Sequence, residues 1–92
     1  MIKEVEFDDS KAQSDLQKHG VSFEEAISAL RAERSIWVED PDAENEKRWI
    51  FWSFSDRGRL LSLVVTMRND NFRIISARKA TKSEAKIYAQ RI

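Results

Sequence analysis

Cysteine is absent from this 92-residue chain. That removes disulfides, thiolate nucleophiles and cysteine-based metal cages, and it fits a reducing compartment. Histidine is almost absent too, with His19 the single imidazole. One His and no Cys leave too few ligands for a transition-metal cage. The acidic stretch DPDAENE at 40–46 lacks the ligand spacing and the central glycine of a calcium loop, so it reads as a solvated loop. Two glycines and one proline argue against a disordered linker, and the chain shows no repeat or low-complexity tract. No apolar run approaches the ~20 residues that a membrane helix needs. The opening MIKEVEFDDS lacks the apolar stretch of a secretion signal. Together these absences predict a soluble, cytoplasmic protein with no membrane partner, folded as one domain over residues 1–92.

What is present supports a core and a densely charged surface. Three Trp and five Phe contribute to a hydrophobic content of 41%, enough for a small core. Charged residues make up 35%, above the usual quarter. The net charge of zero hides an asymmetry. Residues 1–46 carry 13 Asp/Glu against 5 Lys/Arg, a net of −8, and residues 47–92 carry 3 against 11, a net of +8. Either the halves neutralise each other across the fold, or the C-terminal half builds a cationic surface for a phosphate backbone or an acidic partner.

Capping chemistry marks three helix starts. Ser10 precedes Gln13, Ser22 precedes Glu25, and Thr81 precedes Glu84, each with the spacing of a reciprocal capping box. The first helix should run over 11–18, with Ala12 and Leu16 inward, and Gly20 is placed to end it in the left-handed conformation. The second carries Phe23, Ala26, Ile27 and Leu30 on one stripe. The third repeats that relation with Ala85, Tyr88, Ala89 and Ile92, where Tyr88 reads as a core residue. Segments 4–7, 35–39, 48–55, 59–67 and 72–79 read as strands. Tight turns at 56–58 and 69–71 make the last three an antiparallel meander. The fold class is α+β: an antiparallel sheet with helices against one side, two of them N-terminal and one C-terminal. The third strand is aromatic on both faces, Trp49 and Phe51 on one, Trp52 and Phe54 on the other. Burial on both sides is the expected reading, and an exposed aromatic face for a partner or stacked bases is the alternative.

The segments FDDSKA, KHGVSFEEA, EKR, GRLLSLVVTMR and RIISARKATKSEAKIY then resemble, in order and over nearly the whole chain, the BrnT toxins of bacterial type II toxin–antitoxin modules. The resemblance implies a RelE-like fold and an mRNA-cutting endoribonuclease that needs no metal or cofactor. It also implies neutralisation by a BrnA-like antitoxin with a ribbon-helix-helix domain, through which alone the toxin would meet operator DNA. The chain departs from the family pattern at four places. Phe7 stands where Trp is usual, and Asp15 where Asn is common. Ser53 and Phe54 replace a glycine followed by a basic or polar residue. These departures motivate an alternative, a toxin fold retained for partner binding with weak catalysis.

Metal-independent RNA cleavage uses the substrate's own 2′-hydroxyl. It needs a base, a proton for the leaving 5′-oxygen, and cations over the phosphorane oxygens. His19 is one candidate, because imidazole serves as acid or base near neutral pH. Its other reading is a cation favoured at a helix C-terminus. Lys18 beside it would contact phosphate or simply be solvated. Glu46 and Arg48, at i and i+2 entering a strand, can share a face as a base with a phosphate clamp, or form a surface ion pair. Arg68 and Arg78 end the fourth and fifth strands, and the planar guanidinium suits phosphate. Whether Arg78 or Lys79 faces the cleft depends on strand register.

Overall fold

The computed structural model of the protein describes residues 5–7 and 18–92. Its elements are β1 (Val5–Phe7), α1 (Phe23–Leu30), β2 (Ile36–Glu39), β3 (Arg48–Phe54), β4 (Leu60–Arg68), β5 (Asn71–Lys79) and α2 (Lys82–Arg91). The expected helix over 11–18 lies outside the described residues except at its end, where Lys18 and His19 are helical. Gly20 follows with φ +67°, the left-handed residue that stops a helix. No helix among the described residues is long and apolar enough to cross a membrane.

The five strands form one sheet in the order β1-β5-β4-β3-β2. β2 to β5 make the antiparallel meander that the turns predict. The β4–β5 turn is a two-residue hairpin in which Asn69 and Asp70 both hold positive φ, 52° and 66°. Short polar side chains tolerate that conformation, and its twist matches the flanking strands. β1 pairs with β5 in parallel, so the sheet is mixed, and the expectation of a wholly antiparallel sheet is corrected at this edge.

A β-bulge in the β4–β5 pairing decides which side chains share a face. Val64 pairs with Ser76 but Val65 pairs with Ile74, so one residue of β5 is extra. Ile74 and Ala77 are therefore both fully buried although three apart, a spacing that simple alternation forbids. The registers assign Trp37, Phe51, Leu63 and Ala77 to one face, with Trp49, Val65 and Ile74 beside them. α1 covers this face through Ala26, Ala29 and Leu30, and the core is built there with Val21, Phe7 and Phe72. The two alanines let the helix approach closely, and Phe23 packs edge-to-face on Phe7 with ring centroids 4.8 Å apart.

Ser22 caps α1 as expected, its hydroxyl accepting from the Glu25 N–H at 3.1 Å. The reciprocal half of that box is absent, because the Glu25 carboxylate turns inward. It accepts from Ser55 Oγ at 2.7 Å and from both Nε and Nη2 of Arg59. Arg59 also donates to the Gly20 carbonyl at 2.9 Å. The guanidinium beside it holds the Glu25 carboxyl below its ordinary range against the opposing effect of burial. One ion pair thus joins the turn before α1, the helix and the β3–β4 hairpin.

α2 lies on the other face, which corrects the expectation of helices against one side. It packs at one end, over Trp52 and Phe54. The Tyr88 ring meets Phe54 edge-to-face at 5.5 Å, and its hydroxyl donates to the Arg34 carbonyl. Tyr88 is the buried residue of the predicted stripe, whereas Ala85, Ala89 and Ile92 are exposed. The third strand is therefore covered on both sides at Phe51 and Trp52, with Phe54 half exposed at its end.

Candidate functional site

Beyond α2, the second face carries an apolar row of Val38, Ile50 and Val64 and then a polar one. The registers set Arg48 beside Thr66 and Thr66 beside Arg73, with Glu6 next on β1. Continuing the β3–β4 register two residues past Arg48 places Glu46 opposite Arg68. The side chains meet: Arg68 Nη2 and Nε donate to Glu46 Oε1 and Oε2 at 3.3 and 3.4 Å. Glu46, Arg48 and Arg68 share an open groove of about 470 Å³ with Asp42, Glu44 and Asn45 of the β2–β3 loop. The Arg48 guanidinium has neither an ion-pair nor a hydrogen-bond partner among the described residues. Thr66 anchors the floor, its hydroxyl donating to the Lys47 carbonyl at 2.8 Å.

The long Glu46–Arg68 distances and the half-exposed Arg68 side chain make this a wet pair of small net stability. It can open for a phosphate. Three carboxylates (Asp42, Glu44, Glu46) face two guanidinium groups across the groove, so the loop side is acidic and the strand side cationic.

The other sequence-predicted residues lie elsewhere. Lys18 and His19 precede Gly20, which Arg59 ties to the β3–β4 turn. That turn is the far end of β3 from Arg48, about 20 Å away at 3.3 Å per residue. Arg78 stands with Ser62 and Trp52 on the second face, under α2. Lys79 pairs with Leu61 and so belongs to the other face, which resolves the register question. Arg78 donates to Glu84 through Nη1 and Nη2 at 2.8 and 3.0 Å. Glu84 also accepts from the Trp52 indole at 3.1 Å and the Thr81 backbone N–H at 2.8 Å. Thr81 and Glu84 complete the predicted capping box.

Burial raises the Glu84 pKa, but the bonds from Arg78, Thr81 and Trp52 outweigh it and hold the value at about 2. A lowered folded-state pKa gives stability that is present above the ordinary carboxylate range and lost as pH falls through the folded value. Wild type should therefore be more stable than Glu84→Gln at pH 7, and the gap in Tm should close between about pH 4.5 and 2. Thermal unfolding followed by circular dichroism checks this; a gap independent of pH would show that the carboxylate charge is not what holds α2.

Two features escaped sequence reasoning. Arg73 joins the polar row and pairs with Glu6 at 3.0 Å, which the bulge makes possible by returning it to the face of Arg78. Arg59 was hidden among surface charges. Among the departures from the family pattern, Ser53 is fully buried on the α1 face, its hydroxyl without a partner among the described residues. Phe54 packs under α2, at the opposite end of β3 from the groove.

Comparison with known proteins bears on this geometry. The crystal structure of the Brucella abortus ribonuclease toxin, BrnT, is similar, with a TM-score of 0.59 and 18% sequence identity over 89% of this chain and 100% of that one. At this identity the likeness shows a shared fold. No curated protein matches the chain. A sequence model of the ribonuclease toxin BrnT of type II toxin–antitoxin systems matches residues 7–84. The chain therefore belongs to the BrnT family of ribonuclease toxins of type II toxin–antitoxin systems, a membership that implies an RNA substrate and a protein antitoxin.

Proposed function

We propose that this chain is an endoribonuclease that cleaves RNA without a metal at the groove of Glu46, Arg48 and Arg68. The observation that carries the reading is one carboxylate set directly opposite a half-exposed arginine, with an unpaired guanidinium beside it, on an open sheet face. An RNA phosphate entering the groove competes with Glu46 for Arg68. Pairing of phosphate with Arg68 and Arg48 frees the carboxylate, which takes the 2′-hydroxyl proton. The 2′-oxygen attacks phosphorus, the two guanidinium groups balance charge on the phosphorane, and the 5′-oxygen leaves with the proton returned to it. The products are a 2′,3′-cyclic phosphate and a 5′-hydroxyl. Lys18 and His19 would touch RNA remote from the cleaved bond, and Arg78 would support the site by fixing α2.

We assign the protein antitoxin to the BrnA-like class, with a ribbon-helix-helix domain that carries any contact with operator DNA. The purified chain should cleave RNA in excess EDTA, stop growth when expressed alone, and lose both effects with that antitoxin. Cleavage that ceases in EDTA and returns with a divalent ion would sink the metal-free mechanism. A second reading, a catalytically weak binding module, is favoured by the acidic loop side of the groove, which repels phosphate. It predicts tight antitoxin binding with RNA left intact, so both measurements on one preparation separate the readings.

A further inference from the structure

A second groove lies back to back with the polar one, on the α1 face. Leu30, Trp37, Trp49, Phe51, Met67 and Phe72 line about 360 Å³ of it. Strand alternation places Trp49 and Met67 here while their neighbours Arg48 and Arg68 line the polar groove. The groove is open because α1 is only eight residues long and ends at Leu30. Trp37 is 58% exposed and Met67 46%, and the inner side of the Trp37 ring stacks on Phe51 at 6.1 Å. β2, which carries Trp37, is an edge strand, so its outer backbone groups are also unpaired within the sheet.

The surroundings of the groove state what fits it. Glu39 shares this face with Trp37 and Trp49, and the loop at the adjoining end of the sheet carries Asp40, Asp42, Glu44 and Glu46 against Lys47. An apolar floor with a charged rim is the anatomy of a protein interface. No cation among the described residues lines the groove to hold an RNA phosphate, and the acidic loop disfavours a second copy, because a symmetric pair would set two such loops together. A basic peptide segment with a large apolar side chain satisfies both floor and rim.

We infer that this groove seats a large apolar side chain on a basic segment of the protein antitoxin; the inference rests on the toxin–antitoxin reading. A segment held there lies beside the 40–47 loop, which walls the polar groove, and can pass around the end of the sheet to block it.

The test uses the full chain and, as probe, the protein encoded by the reading frame next to its gene. Trp37→Ser and Met67→Ser, each alone, should weaken binding at least about thirtyfold by isothermal titration calorimetry. Both variants should remain folded by circular dichroism, and their RNA cleavage should stay that of wild type. Glu39→Lys should slow association and reduce its salt dependence. Wild-type affinity in both apolar variants overturns the inference. So does a dimer of the free chain that Trp37→Ser dissociates, which would make the groove a self-association face. A wild type that cleaves RNA but does not bind the probe overturns this inference alone. One that binds through Trp37 and Met67 but leaves RNA intact overturns the ribonuclease reading and supports the groove.

Discussion

Arg59→Ala should lower the Tm by about 10–20 °C at pH 7, the largest loss expected from any single surface-accessible position. Its partner is the reason. Glu25 is 2% exposed, and without the guanidinium its carboxylate keeps only the Ser55 hydroxyl. An unpaired buried charge costs far more than the pair contributed. The loss also propagates, because Arg59 holds the Gly20 carbonyl and so the entry to α1. The sign of the pH dependence is a sharper test than the size. In wild type the Glu25 pKa is lowered, chiefly by the Arg59 hydrogen bond, so the pair stabilises above the ordinary carboxylate range and less below it. In the variant, burial is opposed only by the Ser55 hydrogen bond and the Arg57 charge, so the pKa rises relative to wild type and the charged form is less well held at neutral pH. The difference in Tm should therefore shrink as pH falls towards about 4. Glu25→Leu combined with Arg59→Met should recover much of the loss, since a buried pair replaced by apolar groups is often neutral. Equal Tm for Arg59→Ala and wild type by circular dichroism would remove Glu25–Arg59 as the joint of the fold.

That joint also shows where sequence reading stops. Turn and cap chemistry is local, so Gly20, Ser22, Asn69–Asp70 and Thr81–Glu84 were legible from residue type and spacing. Strand existence was legible from β-branched and aromatic runs, and Tyr88 from its helical stripe. Partners far apart in sequence were not. Glu25 and Arg59 are 34 residues apart and Glu6 and Arg73 are 67, and no local pattern selects one charge pair among thirty-two charged residues. These pairs, with Glu46–Arg68, each join the acidic half to the basic half across the fold. The faces of β5 were hidden for another reason. Strict alternation would separate Arg73 from Arg78, and only the bulge puts them on one face. Glu46 and Arg48 were legible as a pair because i and i+2 share a strand face. That Arg68 stands opposite Glu46 needed the register, and so did the remoteness of His19.

Glu46→Gln should cut the RNA cleavage rate by about 10²–10⁴-fold, the range for losing a general base. The amide keeps the shape and can still accept from Arg68, but it cannot take the 2′-hydroxyl proton. Because the Glu46–Arg68 pair is wet and half exposed, its loss should leave the Tm within about 2 °C of wild type. Activity and stability therefore separate at Glu46, in contrast to Arg59. Arg68→Lys keeps the charge but loses the planar fork, and should weaken RNA binding and the rate together. His19→Ala supplies the control. With His19 at the far end of β3, it should retain cleavage within about tenfold, whereas a proton-transfer role would remove about 10²-fold or more. Single-turnover cleavage of a short RNA by the three variants decides the assignment. If His19→Ala is the inactive protein and Glu46→Gln the active one, the chemistry belongs at the helix joint and the groove of Glu46, Arg48 and Arg68 is a surface ion pair.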